Sequence, residues 1–247
     1  MSSIEGKLLH IVGEHMAIRF EVPKITSGQE STESNLHAIF AVDKSGSMSG
    51  RPIKDASASA ISLTNKLRKV DVPVTVYCFN HSFKRYSSEE LGYDELVHKL
   101  EELKGSGGTN FSETFKDYEK LIQEKKLKNI FFVWLSDGQD GSRDWMMNQI
   151  ETHKQFLEAN NVTVVTHCIG FSESHDAELL TKLTTCGTST GTFQYVEAGG
   201  RIPVAVNNVY ALAFQSSLWA KLVTESSASY RVQIERENSE NLGLVFI

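Results

Sequence analysis

The sequence lacks the features that are typical of secreted proteins, membrane-spanning proteins and zinc-finger proteins. It has only three cysteines, Cys78, Cys168 and Cys186, and no uninterrupted apolar run long enough to cross a bilayer. The cysteines are odd in number and form no Cys-x-x-Cys pair, which is typical of buried thiols in a reducing compartment. The first residues, Met1 to Lys7, lack the basic flank and apolar segment of a signal peptide. We therefore expect a cytoplasmic protein.

The charge balance also lacks a basic surplus. There are 25 basic and 31 acidic residues, so the formal net charge is -6. Because a surface that binds nucleic acid depends on clustered lysine and arginine, we expect no nucleic-acid partner. We also expect no membrane partner. Hydrophobic residues make up 40% of the chain and charged residues 23%, which is the balance of a globular protein with a substantial core.

The middle of the sequence alternates between short apolar runs and segments with helical periodicity. The clearest apolar runs lie at residues 36–42, 72–79, 130–135 and 162–169. Between them, apolar residues are spaced by three and four, as in Ile53, Ala56 and Ala60, which is one face of a helix. Strands separated by such helices form a parallel sheet covered on both faces. The pattern predicts a doubly wound, mostly parallel α/β domain over residues 34–225, with residues 82–86 as a possible edge strand.

The two ends of the chain differ from this middle. Residues 1–33 contain one or two predicted strands within 8–22, followed by a polar linker. Residues 226–247 show the alternation of a strand and stop on an apolar run. We expect either that the chain is cut from a longer protein, or that its last strand pairs with the N-terminal one in a small β appendage.

Three segments of the predicted domain carry side chains with oxygen donors. An Asp-Lys-Ser-Gly-Ser-Met segment begins at Asp43, a Gly-Ser-Gly-Gly-Thr segment ends at Thr109, and an Asp-Gly pair begins at Asp137. In open α/β sheets, sites form at the carboxyl ends of strands, where the strand order reverses. Asp43, Ser45 and Ser47 alternate, so in an extended loop they point to the same side. Oxygen donors without His or Cys suit a hard cation, Mg²⁺ or Mn²⁺, with Ca²⁺ also possible.

Other interpretations of the same residues stay open at this point. Asp43 could cap a helix while Ser45 and Ser47 only form turns, and the glycines before Thr109 could cradle a phosphate. Asp43 could instead be the nucleophile of a metal-dependent, phosphatase-like hydrolase, although Ser45 stands where that chemistry normally wants a second acid. A third hypothesis is a scaffold that needs no metal and binds its partners through the flanking strands.

A methionine, a tryptophan and two histidines are further residues whose place relative to the site matters. Met48 and Trp145 are candidate contact residues near the site, although either could simply pack locally. His153 and His167 fall at apolar positions and join no zinc-type spacing, so we expect them in the core.

The oxygen donors resemble the metal-ion-dependent adhesion site of the von Willebrand factor A domain family. The resemblance rests on the Asp-x-Ser-x-Ser string from Asp43 to Ser47, on Thr109 after paired glycines and on Asp137 at a strand end. It implies that Ser45, Ser47 and Thr109 are metal ligands, directly or through water. It also implies that Asp43 and Asp137 are the acidic members of the set.

The same resemblance implies a function in protein binding. It covers residues 34–225, and segment 170–176 resembles intracellular members of the family more than integrins. Family members mostly bind proteins, with an Asp or Glu of the partner completing the coordination of the metal. We therefore expect a Mg²⁺- or Mn²⁺-dependent protein-interaction module of the adhesion type, and not an enzyme.

Overall fold

The chain folds in the alternating order of strands and helices that its apolar pattern predicts. A computed structural model describes residues 5–12, 15–21, 36–139, 141–197, 202–211, 232–238 and 241–246. The described strands are β1 (Glu5–Val12), β2 (His15–Glu21), β3 (Leu36–Asp43), β4 (Val74–Phe79), β5 (Phe83–Ser87), β6 (Asn129–Ser136), β7 (Thr163–Phe171), β8 (Ser189–Val196), β9 (Val232–Asn238) and β10 (Asn241–Phe246). The described helices are α1 (Arg51–Arg68), α2 (Ser88–Leu91), α3 (Tyr93–Glu101), α4 (Phe111–Lys125), α5 (Arg143–Ala159), α6 (Ala177–Leu183) and α7 (residues 202–211).

These elements fall into two units. One unit is Ser34–Gln215, and the other combines Met1–Glu33 with Ser216–Ile247. The predicted linker before residue 34 and the predicted boundary at residue 225 lie outside the described residues. Within the described parts of both units, no helix is long and apolar enough to span a bilayer.

The larger unit is built on a six-stranded sheet with the order β5-β4-β3-β6-β7-β8. All neighbouring strands are parallel except β4 and β5, which form the predicted antiparallel edge. From β3 the chain moves to β4 on one side, whereas β6 lies on the other side of β3. The strand order therefore reverses between β3 and β6, and a crevice opens there at the carboxyl ends of the strands. The predicted doubly wound α/β fold is confirmed.

Helices cover both faces of this sheet because its central strands are apolar on both sides. Along β3, Ala38, Phe40 and Val42 pack with α1, α3 and α7, whereas Ile39 and Ala41 pack with α4, α5 and α6. All five residues are fully buried. Because the sheet is packed between two apolar layers, it is rigid, and the loops that follow its strands begin at fixed positions.

The smaller unit is a four-stranded antiparallel sheet with the order β1-β2-β10-β9. Strands β1 and β2 form a hairpin, as do β9 and β10, and β10 pairs with β2. Pairs such as Leu242 with Phe20 and Leu244 with Ile18 join the two ends of the chain. The predicted β appendage from the N- and C-terminal segments is confirmed.

Candidate metal centre

Asp43 is the last residue of β3, and its carboxylate is fully buried. Both oxygens are hydrogen-bonded: Oδ1 accepts the backbone N–H of Ser45 at 2.8 Å, and Oδ2 accepts the hydroxyl of Ser136 at 2.6 Å. Burial raises the pKa of Asp43 from 3.8 to about 6, the two hydrogen-bonded serines lower it, and the charge of Asp137 adds to the rise. A cation beside this carboxylate would offset the cost of its burial.

Ser45 and Ser47 lie in the loop that follows Asp43, and their hydroxyl oxygens are 3.0 Å apart. Ser45 is buried and Ser47 is exposed, so the pair leads from the interior to the surface. The loop thus brings together the two hydroxyls that the alternating sequence predicts on one side, next to the fixed carboxylate of Asp43.

The loop that contains Thr109 is hydrogen-bonded to this first loop. The Ser106 N–H donates to the Lys44 carbonyl at 2.8 Å, and the Gly46 N–H donates to the Gly107 carbonyl at 2.8 Å. Thr109 is half-buried at the end of this glycine-rich segment. The backbone bonds hold the two loops side by side, so Thr109 belongs to the same rim as Ser45 and Ser47.

Asp137 follows the last residue of β6, the strand adjacent to β3, and is fully buried. Its Oδ1 accepts the Gln139 N–H at 3.1 Å. Its Oδ2 is buried and has no hydrogen-bond partner within the described part of the chain. A buried charged oxygen without a partner is costly, and it is the kind of atom that a bound cation would satisfy.

Two residues that sequence reasoning did not select also organise the site. Ser136 holds the Asp43 carboxylate from the neighbouring strand. Asn80, just after β4, donates its side-chain N–H to the Ser106 carbonyl at 2.8 Å and accepts the Asn110 N–H on its backbone carbonyl at 2.8 Å. Their only signal in the sequence is that each stands at the carboxyl end of a predicted strand.

The two candidate contact residues have different surroundings in the structure. Met48 is fully buried in the apolar cluster beneath α1, so it packs locally and is not available to a partner. Trp145 is half-buried on α5, where its ring lies edge-on to Phe115 with centroids 6.3 Å apart and Lys116 lies over it at 5.2 Å. Of the two interpretations of Met48, a contact residue or local packing, the structure shows local packing, because the turn before α1 directs its side chain inward.

Gly138, next to Asp137, offers a test of the local backbone. Its φ of 72° lies in the left-handed region, and an added Cβ would lie 3.1 Å from both the Asp176 carbonyl oxygen and Leu180 Cγ. We expect Gly138→Ala to lower the free energy of unfolding by about 1–2 kcal/mol. Urea denaturation checks this, with Gly141→Ala as the control, because a Cβ there meets only the Thr109 carbonyl oxygen at 4.0 Å. Equal losses in the two variants would contradict the strain at Gly138.

The donor set as a whole is made of oxygen. Within the described ranges no group of three or more His, Cys, Asp and Glu side chains is placed to hold a metal. The loops at this edge of the sheet carry instead two buried carboxylates and three residues with hydroxyl side chains, which are ligands suited to a small hard cation. The fold and these residues together define a doubly wound α/β domain with an oxygen-rich crevice at the point where the strand order reverses.

Comparison with known proteins points to one family for this domain. Residues 38–139 match the model of the von Willebrand factor type A domain. A von Willebrand factor A domain-containing protein of Dictyostelium discoideum is 27% identical over 186 residues, which cover 73% of this chain and 19% of that protein. The chain thus spans about a fifth of the length of this relative. These matches support the von Willebrand factor A domain family for the larger unit.

Solved structures show the same fold at low sequence identity. The von Willebrand factor type A structure from Catenulispora acidiphila has a TM-score of 0.53 and 13% identity, covering 94% of this chain and 57% of that one. The vWF domain of the type V pili tip protein Mfa5 from Porphyromonas gingivalis has a TM-score of 0.52 and 12% identity, covering 78% and 97%. At such identities the likeness shows the fold alone.

Proposed function

We propose that the larger unit binds Mg²⁺ or Mn²⁺ and, through the bound cation, a carboxylate of a partner protein. The residues that would hold the cation are Asp43, Ser45, Ser47, Thr109 and Asp137, some of them through water. The observation that carries the proposal is the buried Asp137 Oδ2, which lacks a hydrogen-bond partner among the described residues. When bound, the cation supplies an electrophilic position that an Asp or Glu side chain can occupy.

The charges around the crevice support an acidic partner. Residues 44–54 and 103–110 carry Lys44, Arg51 and two further lysines, and no acidic residue. Arg51 stands at the start of α1, where its side chain is 61% exposed and pairs with Asp55 at 3.4 Å. The lysines of these two segments therefore carry the positive charge beside the crevice, which favours approach of a negatively charged segment.

A binding role agrees better with the geometry than a catalytic role. A nucleophilic carboxylate has to reach its substrate. The Asp43 carboxylate is fully buried, and its two oxygens are occupied by Ser45 and Ser136. We therefore propose a protein-interaction module and not a hydrolase.

The cellular setting is part of the proposal. Cys78, Cys168 and Cys186 are free and buried, as expected for a protein of a reducing compartment. These thiols, together with the sequence resemblance of segment 170–176 to intracellular family members, support a cytoplasmic location.

Calorimetry tests the metal site. We expect one Mg²⁺ or Mn²⁺ ion to bind per chain, and Asp43→Ala to remove the binding, because the variant lacks one of the two buried carboxylates. Equal binding by wild type and variant, or binding by neither, would contradict the proposal.

The role of the metal in partner binding needs a separate measurement. Proteins retained by the immobilised wild-type chain in Mg²⁺ should be released by EDTA and should not be retained by Asp43→Ala. Partners that stay bound in EDTA would support a metal-independent scaffold instead.

A further inference from the structure

The hydroxyl of Ser136 has only one direction in which it can donate. Its oxygen accepts the Gly138 N–H at 2.9 Å, and a backbone N–H cannot accept a bond in return. The single hydroxyl proton is therefore left for Asp43 Oδ2, which lies 2.6 Å away. The bond is thus of the short, charge-assisted kind, with the carboxylate as acceptor.

Ser136 stands where it can act on both acidic residues of the centre. Val42 pairs with Leu135 in the parallel register of β3 and β6, so Asp43 and Ser136 come next and lie side by side. Asp137 is the following residue of the chain. One serine therefore holds the first acid with its side chain and carries the second acid on its backbone.

Both partners of this bond are fully buried. Water therefore cannot readily replace the hydroxyl if it is removed, and Asp43 Oδ2 would lose a directed donor in the interior. The Ser45 N–H alone would then hold the carboxylate through Oδ1, leaving rotation about that contact less restrained.

We propose that Ser136 is a positioning residue of the metal centre, which fixes the orientation of the Asp43 carboxylate for the cation without touching the cation itself. This inference rests on the proposed function. Groups that orient metal ligands in this way typically contribute a factor of about 10 to 100 in metal affinity.

Three variants of Ser136 separate the hydroxyl from the shape of the side chain. Ser136→Ala removes the donor. Ser136→Thr keeps it, whereas Ser136→Val has nearly the shape of the Thr variant without the hydroxyl. The Thr and Val pair keeps the comparison valid if the Ala variant does not fold, which circular dichroism in EDTA establishes.

A distant serine controls for the loss of a buried hydrogen bond. The Ser88 oxygen is buried and accepts the Val74 N–H at 2.9 Å, at the opposite end of β4 from the crevice. Ser88→Ala should lower the thermal stability in EDTA, as Ser136→Ala should, but it should leave metal affinity unchanged.

Titration of each protein with MnCl₂ by calorimetry gives the decisive comparison. We expect the Ala and Val variants of Ser136 to bind Mn²⁺ about 10- to 100-fold more weakly than wild type, and the Thr variant to bind close to wild type. Wild-type affinity in Ser136→Ala, or equal affinities of the Thr and Val variants, would overturn the positioning role while leaving the metal site in place. A wild type that binds no Mn²⁺ would overturn the proposed function and this role with it.

Discussion

Replacing Asp137 with asparagine should strongly weaken Mg²⁺ and Mn²⁺ binding and should also make the metal-free protein more stable. The buried Asp137 Oδ2 has no hydrogen-bond partner in the described structure, and its negative charge lies near Asp43. The amide keeps an oxygen that can accept the Gln139 N–H and removes the repulsion between the two acids. We expect a loss of metal affinity on the order of 100-fold or more, since ligand charge governs affinity for hard cations.

The free energy of unfolding in EDTA should rise by about 1 kcal/mol, because two buried negative charges close together destabilise the metal-free protein. Urea denaturation in EDTA and calorimetry with Mn²⁺ measure the two effects. Asp144→Asn is the matched control: the Asp144 side chain is 98% exposed in the first turn of α5, so the same charge change there should leave Mn²⁺ affinity unchanged and should not raise stability. A less stable Asp137→Asn protein with unchanged Mn²⁺ affinity would contradict both expectations.

Acidification from pH 7 to pH 5 should destabilise the protein through His37 and His167. Burial lowers the pKa of each to about 4, against 6.5 in an unfolded chain. His37 Nε2 lies 2.8 Å from Thr75 Oγ1, and His167 Nδ1 accepts the Thr192 N–H, so a proton on that nitrogen would break the bond. Between pH 6.5 and pH 4 the unfolded chain binds more protons, and stability is lost as the pH falls.

Between pH 7 and pH 5, each histidine should lower the free energy of unfolding by about 2 kcal/mol. The raised pKa of Asp43 acts in the opposite direction, because the folded protein then binds the extra proton. Comparison of wild type with His37→Gln/His167→Asn by urea denaturation at both pH values cancels that contribution. The wild type should lose about 4 kcal/mol more than the double variant, and parallel pH profiles would show that the buried histidines are not responsible.

The order of strands and helices could be predicted because burial on both faces leaves a clear signal in this sequence. Strand β3 is apolar at nearly every position, and α1 shows apolar residues at helical spacing, so local patterns suffice for both. Helix α2 has only four residues, too few for any periodicity, and was not predicted. The direction of Met48 depends on the turn before α1, which the pattern of apolar residues does not determine.

The site was predictable only as far as its residues follow one another in the chain. The alternation of Asp43, Ser45 and Ser47 is local, and the structure indeed brings the two serine hydroxyls together. The contact between Ser136 and Asp43 depends on the register of β3 against β6, across 93 residues. The link from Asn80 to the Thr109 loop depends on the packing of three loops. Such non-local contacts arise from the assembled sheet.

The pairing of β2 with β10 has a consequence for how the chain is made. During synthesis, residues 36–211 are translated before β9 and β10, so folding of the larger unit can begin first. The hairpin of β1 and β2 is marginal on its own and keeps an unpaired edge throughout that interval. Completion of the smaller sheet is therefore a late event, which occurs only when translation has passed residue 246.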